Sequence, residues 1–285
     1  MTRPRPVQSA IGALLRIAPQ LAPRARKLIW RVLYEAASAG GRVGQVTVMN
    51  YGFAPVGAAM ESWPEVDRFG LALYEKVAGA VDLAGKDVLE VGCGRGGGAS
   101  FVFERFAVRS MTGLDLARRA IKRGRARYGR PGFELLAGDA ERLPFPDGAF
   151  DAVLSVETSH CYSDVDRFLA EVHRVLAPDG FLLLADLRDT AAGDGGAGMG
   201  AGDIATLRAQ LARSGFRCLE EEDLTEGVLL ALALNTPAVR ARVEERAPRF
   251  MRNLALTFAA TEGSPMYQRF AEGESIYARF TLQKV

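Results

Sequence analysis

Three acidic residues, Glu90, Asp115 and Asp139, lie in or directly after successive short apolar runs in the first half of the chain. Runs of this length are typical of buried parallel strands, and the carboxyl ends of such strands meet at one edge of a sheet. Three carboxylates at neighbouring strand ends are unusual for surface charge. The pattern therefore predicts that they surround one ligand-binding crevice.

The turn after Glu90 spans residues 92–98 and reads G-C-G-R-G-G-G. Because glycine lacks a Cβ atom, it takes positive φ and lets the main chain approach a bound molecule closely. A helix predicted to begin near Gly97 would point unsatisfied N–H groups at the same ligand. We therefore expect the ligand to lie against Gly92, Gly94 and Gly96.

The position of Glu90 distinguishes between two classes of ligand. Gly92, Gly94 and Gly97 fit the G-x-G-x-x-G fingerprint of dinucleotide-binding proteins. A carboxylate two residues before the first glycine lies under the turn, however, where it can accept a hydrogen bond from an ammonium group. A dinucleotide offers no such cation, whereas S-adenosylmethionine carries one at its methionyl end. The alternative is that Glu90 pairs with a nearby arginine such as Arg95.

Asp115 and Asp139 complete the prediction of a nucleoside site. Asp115 lies roughly 20 residues beyond Gly94, the usual position of an acid that accepts from both hydroxyls of an adenosine ribose. Asp139 lies in the tripeptide G-D-A at 138–140. There its carboxylate can reach the adenine amino group while a backbone N–H meets a ring nitrogen. A dehydrogenase that binds NAD would use Asp115 in the same way, but it leaves Glu90 and Asp139 without a role.

The elements that must position these residues alternate between strands and helices. The predicted strands are 88–91, 110–114, 133–137, 152–156, 181–185, 216–220 and 276–282. The predicted helices are 71–81, 99–107, 117–128, 165–176 and 203–214. This order predicts an α/β fold: a doubly wound, mostly parallel, seven-stranded Rossmann-like sheet, with N-terminal helices and a helical insert before the last strand.

The expected organisation has three parts. Residues 1–80 form an N-terminal helical segment and loop, 81–224 with 275–285 form the core, and 225–274 form the insert, which we expect to act as a lid over the acceptor. In the insert, Thr236-Pro237 and Ser264-Pro265 are predicted to begin helices. Its apolar residues could roof an apolar pocket, or they could form a separate helical layer or a homodimer contact. These residues are Leu229, Leu230, Leu232, Phe250, Met251, Leu254, Phe258, Met266 and Phe270.

Composition narrows the class of protein. The chain has 285 residues, of which 48% are hydrophobic and 25% are charged, as in ordinary globular proteins. Three widely spaced cysteines predict neither a disulfide framework nor a metal site, which favours a reducing, cytoplasmic location. No apolar run reaches the ~20 residues that span a membrane. Nucleic acid is an unexpected partner, because the chain beyond residue 45 is net acidic and lacks a basic stripe.

The N-terminal 45 residues are different, with eight basic side chains and one acidic side chain. Within them, residues 24–37 have the apolar spacing of an amphipathic helix. This helix is predicted to lie peripherally on an anionic membrane, to guide an apolar substrate, or to pack on the main domain with a solvated face. An acid-poor, arginine-rich start also resembles a transit peptide.

Four segments together resemble the signature of class I S-adenosylmethionine-dependent methyltransferases. They read E-V-G-C-G-R-G, T-G-L-D, G-D-A-E-R-L-P-F-P-D-G-A-F-D and R-V-L-A-P-D-G, and the resemblance covers about 81–188. Four further segments resemble the phthiotriol/phenolphthiotriol dimycocerosate methyltransferase group. They are G-G-G-A-S at 96–100, V-E-T-S-H-C-Y at 156–162, R-F-L-A-E-V at 167–172 and A-D-L-R at 185–188. The resemblance implies methylation of a hydroxyl on an apolar lipid or polyketide.

The resemblance also implies roles for individual residues. The methionyl group would lie against Glu90 and the glycine turn, the ribose against Asp115, and the adenine against Asp139. The full set implied to bind the cofactor S-adenosylmethionine is Glu90, Gly92, Gly94, Gly96, Asp115, Leu116, Asp139, Ala140 and Tyr51. Tyr51 belongs to the loop 47–57, whose aromatic side chains could cover the cofactor.

Glu157 and His160 follow the fourth strand, where the acceptor would meet the activated methyl group. We expect them to be the catalytic residues. Histidine suits a general base because of its unperturbed pKa of ~6.5, and Glu157 or Asp186 could orient its ring. The alternative is that His160 packs or positions the acceptor. Two other functions remain open on the residues alone: a nicotinamide-dependent oxidoreductase, and a non-catalytic module that binds S-adenosylmethionine or a membrane.

Overall fold

The computed structural model describes residues 47–57, 67–191, 202–249 and 252–285. Within these ranges one seven-stranded sheet forms the centre of the molecule. Its strands are β1 (Asp87–Val91), β2 (Ser110–Asp115), β3 (Phe133–Ala137), β4 (Phe150–Val156), β5 (Leu176–Asp189), β6 (Phe216–Asp223) and β7 (Ser275–Lys284). Their order across the sheet is β3-β2-β1-β4-β5-β7-β6.

β7 runs antiparallel to both of its neighbours, β5 and β6, and the other strand pairs of this sheet are parallel. β1 pairs with both β2 and β4, so the strand order reverses between β1 and β4. In doubly wound sheets a ligand binds outside the carboxyl ends of the strands at this switch point. The predicted fold class, a mostly parallel Rossmann-like sheet, is confirmed.

Helices cover both faces of the sheet. They are α1 (Arg68–Ala78), α2 (Gly97–Arg105), α3 (Arg118–Tyr128), α4 (Val165–Val175), α5 (Ile204–Arg213), α6 (Thr225–Arg246), α7 (Arg252–Phe258) and α8 (Pro265–Ala271). Two large apolar clusters result, one containing Leu73, Val88 and Val102, and the other Leu89 and Phe168. Neighbouring residues of β1 belong to different clusters because successive strand side chains point to opposite faces. Burial on both faces explains why β1 reads as a nearly continuous apolar run.

The region between β6 and β7 is helical, but its first helix differs from the prediction. We expected a helix to begin at Thr236-Pro237; instead α6 begins at Thr225 and continues through Pro237. Proline removes one backbone donor inside a helix. The Thr236 hydroxyl donates to the Leu232 carbonyl at 2.8 Å, and the Glu262 N–H donates to the Thr236 hydroxyl at 2.8 Å. These bonds, together with burial of Thr236, stabilise the helix across the proline. α8 does begin at Pro265, with Ser264 as its N-cap.

Other predictions concern residues outside the described ranges. The amphipathic segment 24–37 and the side chains of Phe250 and Met251 lie there. Phe258 is described and is 41% exposed, whereas Met266 and Phe270 are buried. Among the helices that the structure describes, none is long and apolar enough to cross a membrane.

Candidate active site

An open cavity of about 1090 Å³, including its mouth, lies at the carboxyl ends of β1, β2 and β4. Its wall contains the glycine turn, the ends of β2 and β3, and the segment after β4. The loop before α1 adds Thr47, Val48 and Met49 to the wall. Asp67 holds this loop, because its Oδ2 accepts from the Thr47 N–H at 2.6 Å and from the Thr47 hydroxyl at 2.7 Å. The cavity thus lies at the switch point between β1 and β4.

Glycine is required at two positions of the turn for different reasons. Gly94 has a φ of 56°, and a Cβ atom there would meet nothing within 4 Å, so its backbone faces the cavity directly. At Gly98, in the first turn of α2, a Cβ atom would lie 1.9 Å from Cζ of Tyr74. The absence of a side chain at Gly98 lets the Tyr74 ring pack against the helix and line the cavity. The turn therefore exposes backbone to a ligand and admits an aromatic ring beside it.

Glu90 lies beneath the turn and is completely buried. Its Oε1 accepts a hydrogen bond of 2.5 Å from the Tyr74 hydroxyl, whereas Oε2 is buried without a hydrogen-bond partner among the described residues. Burial raises the pKa of Glu90 to about 7, although the bond from Tyr74 acts in the opposite direction. Tyr74, and not the alternative Arg95, is thus the observed partner of Glu90. A cation close to Oε2 would favour the ionised carboxylate.

Asp115 connects the glycine turn to the start of α3. Its Oδ2 accepts from the Gly94 N–H at 2.8 Å and its Oδ1 from the Ala117 N–H at 2.7 Å. Asp139 accepts from the Glu141 N–H at 3.0 Å, which holds its carboxylate in a local turn. Asp115 and Asp139 both line the cavity. Carboxylate oxygens carry additional lone pairs, so such bonds orient these groups without using up their capacity as acceptors.

Glu157 follows β4 and also lines the cavity. Its backbone takes a φ of 55°, a conformation that is uncommon for residues other than glycine and that occurs at functional sites. Its Oε2 accepts from the Tyr51 N–H at 2.8 Å and from the Tyr277 hydroxyl at 3.1 Å. Burial raises the pKa of Glu157 to about 8, although the Tyr51 N–H and the His160 ring act to lower it. Glu157 is therefore an acid whose charge changes near neutral pH.

His160 lies in a 3₁₀ turn, Ser159–Cys161, and is buried behind the cavity wall. Its Nδ1 lies 2.7 Å from Oδ1 of Asp186, and the two side chains form a buried ion pair when the ring is protonated. Burial of the ring acts to lower the pKa of His160, but Cys161 and Asp186 raise it, and the net pKa lies well above the usual range. Asp186, rather than Glu157, is thus the residue that orients the imidazole.

Comparison with known proteins identifies the family. A family model described as a methyltransferase domain matches residues 89–184. The phthiotriol/phenolphthiotriol dimycocerosates methyltransferase of Mycobacterium tuberculosis is 36% identical over 261 residues, which cover 90% of this chain and 93% of that protein. The chain belongs to the S-adenosylmethionine-dependent methyltransferases.

Two further relatives extend this comparison. The fatty-acid O-methyltransferase of Mycolicibacterium smegmatis is 34% identical over 272 residues, which cover 94% of this chain and 93% of that protein. The solved structure of the [4+2]-cyclase SpnF has a TM-score of 0.71 and 24% identity, and it covers 88% of this chain and 93% of that one. The likeness to SpnF concerns the fold alone. These relatives give no support to the dehydrogenase alternative.

The described residues of this methyltransferase fit S-adenosylmethionine. Oε2 of Glu90 is a buried acceptor beneath the turn, and such an atom suits a ligand that carries an ammonium group. The open space at Gly94 admits close contact with its backbone. Two further carboxylates, Asp115 and Asp139, line the same cavity. A donor with one cationic end and several hydroxyl and amino groups matches this set.

The structure brings most of the predicted site residues of the methyltransferase to one cavity. Those on its wall are Gly92, Gly94, Asp115, Leu116, Asp139, Ala140 and Glu157. Gly96 instead faces Leu135, and Glu90 lies below the wall. Tyr51 and His160 lie beyond the wall on the Glu157 side, and the Tyr51 ring packs edge-to-face on Phe270 at 6.1 Å. The structure thus groups Tyr51 with Glu157 and not with the glycine turn.

Sequence reasoning missed the residues that hold the predicted acids in place. Tyr74 and Tyr277, from α1 and β7, donate to Glu90 and Glu157. Tyr74 lies in an apolar helical pattern where tyrosine reads as an ordinary core residue. Tyr277 alternates with apolar residues of the last strand, on the face that carries Arg279, and is 120 residues from Glu157. One signal was present in A-D-L-R: Asp186 and Arg188 are two apart on a strand, and therefore share a face. Two charges on one face of a buried strand indicate an internal ionic cluster.

Proposed function

We propose that this methyltransferase O-methylates a hydroxyl group of a hydrophobic small molecule of the lipid or polyketide type. The observation that carries the proposal is the Glu157 carboxylate, which lines the cavity next to a buried His160–Asp186 pair. The relative from Mycobacterium tuberculosis, named for phthiotriol and phenolphthiotriol dimycocerosates, supports an acceptor of this class.

A hydroxyl acceptor requires a base. S-adenosylmethionine supplies a methyl group on a sulfonium, and the methyl group is transferred by in-line displacement that depends on proximity and alignment. The hydroxyl proton must leave as the oxygen forms its bond to carbon. A base is most effective when its pKa lies near the working pH, and the pKa of Glu157 is raised by burial to about 8.

The proposal assigns the proton to Glu157 and a supporting role to His160, which differs from the expectation that His160 is the base. The 3₁₀ turn directs Ser159 and His160 inward to Asp186, while Cys161 lines the cavity. His160 has a raised pKa and is therefore protonated at neutral pH, a state that cannot accept a proton. Its positive charge lowers the pKa of Glu157 and so favours the ionised carboxylate.

A second candidate function is methylation of a carboxyl group, which the fatty-acid O-methyltransferase relative favours. A carboxylic acid is already ionised at neutral pH and needs no base. It would also bring a negative charge beside Glu157, which lines the same wall. The two functions are therefore distinguished by whether a base at Glu157 is needed.

For the cofactor, we propose the roles that the resemblance implied. Glu90 and the glycine turn hold the methionyl group, Asp115 and Leu116 contact the ribose, and Asp139 with Ala140 contacts the adenine. The support is that these residues surround one cavity, with Glu90 directly beneath it. Tyr51 is proposed to cover the methyl-donor end, because its N–H bonds to Glu157.

The helical region 225–274 is proposed as the acceptor lid. Its α8 contributes the buried Met266 and Phe270, and the Phe270 ring contacts Tyr51. Gly227 of α6 lies against Phe53, and its carbonyl accepts from the Ala54 N–H at 3.0 Å. The insert thus packs on the loop that contacts Glu157, where an acceptor would approach. An apolar lid at this place would exclude water from the transfer.

Replacing Asp115 tests the cofactor assignment. Asp115→Ala should weaken S-adenosylhomocysteine binding by about 1.5–3 kcal/mol, the range for hydrogen bonds to a charged group. Isothermal titration calorimetry measures the loss directly. Asp147→Ala, at an exposed carboxylate outside the cavity wall, is the matched control and should bind normally. Unchanged affinity in a folded Asp115→Ala protein would remove Asp115 from the site.

Product identification tests the proposed reaction. The protein is incubated with S-adenosylmethionine and two acceptors of equal chain length, a long-chain secondary alcohol and the corresponding fatty acid. Mass spectrometry should find the methyl ether of the alcohol. Formation of the methyl ester alone would contradict the proposal and establish the second candidate. Replacing S-adenosylmethionine by S-adenosylhomocysteine is the control for background products.

A further inference from the structure

Behind Glu157, charged side chains alternate in sign into the interior of the protein. Glu157 on the cavity wall is followed by His160, then by Asp186, and finally by Arg188. Arg188 is 2% exposed and is among the largest fully buried side chains of the described structure. A guanidinium is rarely buried unless its charge is paired and its donors are satisfied. The charge and the donors of Arg188 must therefore be satisfied inside the protein.

The described polar contacts of Arg188 are with Ser159, Asp186 and the backbone of Leu187. Its Nη2 donates to the Ser159 hydroxyl at 2.7 Å, and its Nη1 donates to the Leu187 carbonyl at 2.7 Å. Its Nη1 also lies 3.2 Å from Oδ2 of Asp186. Ser159 in turn donates to the same Oδ2 at 2.5 Å. Arg188 thus helps to fix Oδ2, the oxygen of the Asp186 carboxylate that is not bonded to the His160 ring.

The Asp186 carboxylate is surrounded by donors on both oxygens. Oδ1 receives His160 Nδ1 and the Leu187 N–H at 2.8 Å, and Oδ2 receives Ser159 Oγ and the His160 N–H at 2.9 Å. Burial would raise the pKa of Asp186, but His160, Arg188 and Ser159 lower it to well below its usual range. Asp186 is therefore a fixed anion, shared between two cationic groups.

We propose that Arg188 is a positioning residue for the reaction: it holds Ser159 and Asp186 in place and, by sharing the negative charge of Asp186, controls how firmly His160 keeps its proton. Without Arg188, the full negative charge of Asp186 would act on the imidazole. His160 would then bind its proton more tightly, and Glu157 would lose the influence of one nearby positive charge. Both effects have the same sign, because each raises the pH at which the group loses its proton.

The titratable and charged groups that face His160 come from several elements. They are Asp186 and Arg188 from β5, Glu157 after β4, Cys161 in its own turn, and the Tyr51 and Tyr277 hydroxyls close to Glu157 and Asp186. Burial raises the pKa values of Tyr51 and Tyr277, so both hydroxyls are neutral at working pH. Among the described groups that these contacts place around His160, Arg188 is thus the residue that supplies a second permanent positive charge.

The chain has two histidines, which allows the proton on His160 to be measured directly. His173 packs on the Phe216 ring, outside the cavity wall. In a His173→Gln background, the single imidazole signal in an NMR titration from about pH 6 to about pH 10 reports His160. Arg188→Met should raise its midpoint by about one pH unit, whereas Arg188→Lys, which keeps the charge, should stay close to the parent. The acidic limb of the kcat profile should shift to higher pH in Arg188→Met and should stay at the parent position in Arg188→Lys.

The outcomes separate this inference from the proposed function on which it rests. An unchanged His160 midpoint in a folded Arg188→Met protein would overturn the inference, and so would an imidazole that stays protonated to about pH 10 in both proteins. A shifted midpoint with an unmoved kcat profile would uphold the effect of Arg188 on His160 but contradict the role of the pair in catalysis. Circular dichroism and S-adenosylhomocysteine binding confirm that each variant is folded.

Discussion

Glu157→Gln is expected to lower kcat by about 10²- to 10⁴-fold while cofactor affinity changes little. This is the range that a positioned general base contributes. Glutamine has nearly the same shape and keeps an acceptor for the Tyr51 N–H and the Tyr277 hydroxyl, so the local structure should survive. It cannot accept a proton at neutral pH. Single-turnover kinetics with a hydroxyl acceptor measures the loss in the chemical step.

The pH dependence of kcat provides a second test of Glu157→Gln. Burial raises the pKa of Glu157 to about 8, so the carboxyl is neutral below that pH and ionised above it. Because the base acts in its ionised form, kcat of the parent protein should rise with pH and level off above about 8. This limb should disappear in Glu157→Gln.

Glu104→Gln is the matched control, because Glu104 is exposed and pairs with Arg130 away from the cavity wall. It should keep both the parent kcat and the parent pH profile. A Glu157→Gln protein with near-normal kcat would return the base to His160 or to water. Such a protein would also favour a carboxylate as the natural acceptor, since that acceptor needs no base.

Local sequence pattern was sufficient to predict most of the sheet. β1 to β4 lie within one or two residues of their predicted positions, because each is a short apolar run bounded by glycine or polar residues. β5 is longer than predicted, since it continues from Leu176 to Asp189 through Pro178, Asp179 and Gly180. Its antiparallel pairing with β7 begins at Phe181 and supports the extension to Asp189, while Leu176 pairs with Phe150 of β4. A pairing between segments so distant in sequence leaves no local signal.

The insert shows where a local rule fails for a physical reason. Proline at 237 was expected to begin a helix, because it lacks an N–H and disrupts a helix interior. In the structure, α6 continues through Pro237, and the Thr236 hydroxyl donates to the Leu232 carbonyl one turn earlier. Burial of Val228, Ala231 and Leu232 against the domain anchors the part of the helix that precedes the proline. Tertiary packing has therefore overridden the local preference.

The acids of the candidate site could be predicted from the sequence, but most of the side chains that hydrogen-bond to them could not. Strand ends in a doubly wound sheet meet at one edge, so Asp115, Asp139 and Glu157 could be grouped from their positions alone. The direction of a side chain within a single turn could not be predicted. His160 is three residues beyond Glu157, yet the 3₁₀ turn directs it inward to Asp186 and away from the cavity wall. That geometry is the reason why Glu157, and not His160, is proposed as the base.

Replacing His160 therefore distinguishes between two mechanisms. If His160 supports Glu157 through its charge, His160→Ala removes a cation that lowers the pKa of Glu157. A charge at this range shifts a pKa by about 1–3 units, so kcat at pH 7 should fall by about 10- to 10³-fold. The loss should be recovered at high pH, where Glu157 ionises without help. Cofactor affinity should stay within about twofold, because the cavity wall is unchanged.

If His160 were instead the base, His160→Ala would differ in the pH dependence of kcat and not only in the size of the loss. The kcat of His160→Ala would fall by about 10²- to 10⁴-fold and would not recover at high pH, because no group would replace the lost acceptor of the proton. A stability control is available in His173→Ala, which removes an imidazole outside the cavity wall. The two histidine variants should both fold, and only His160→Ala should change the acidic limb. Recovery of kcat with rising pH would assign the base to Glu157, and its absence would assign it to His160.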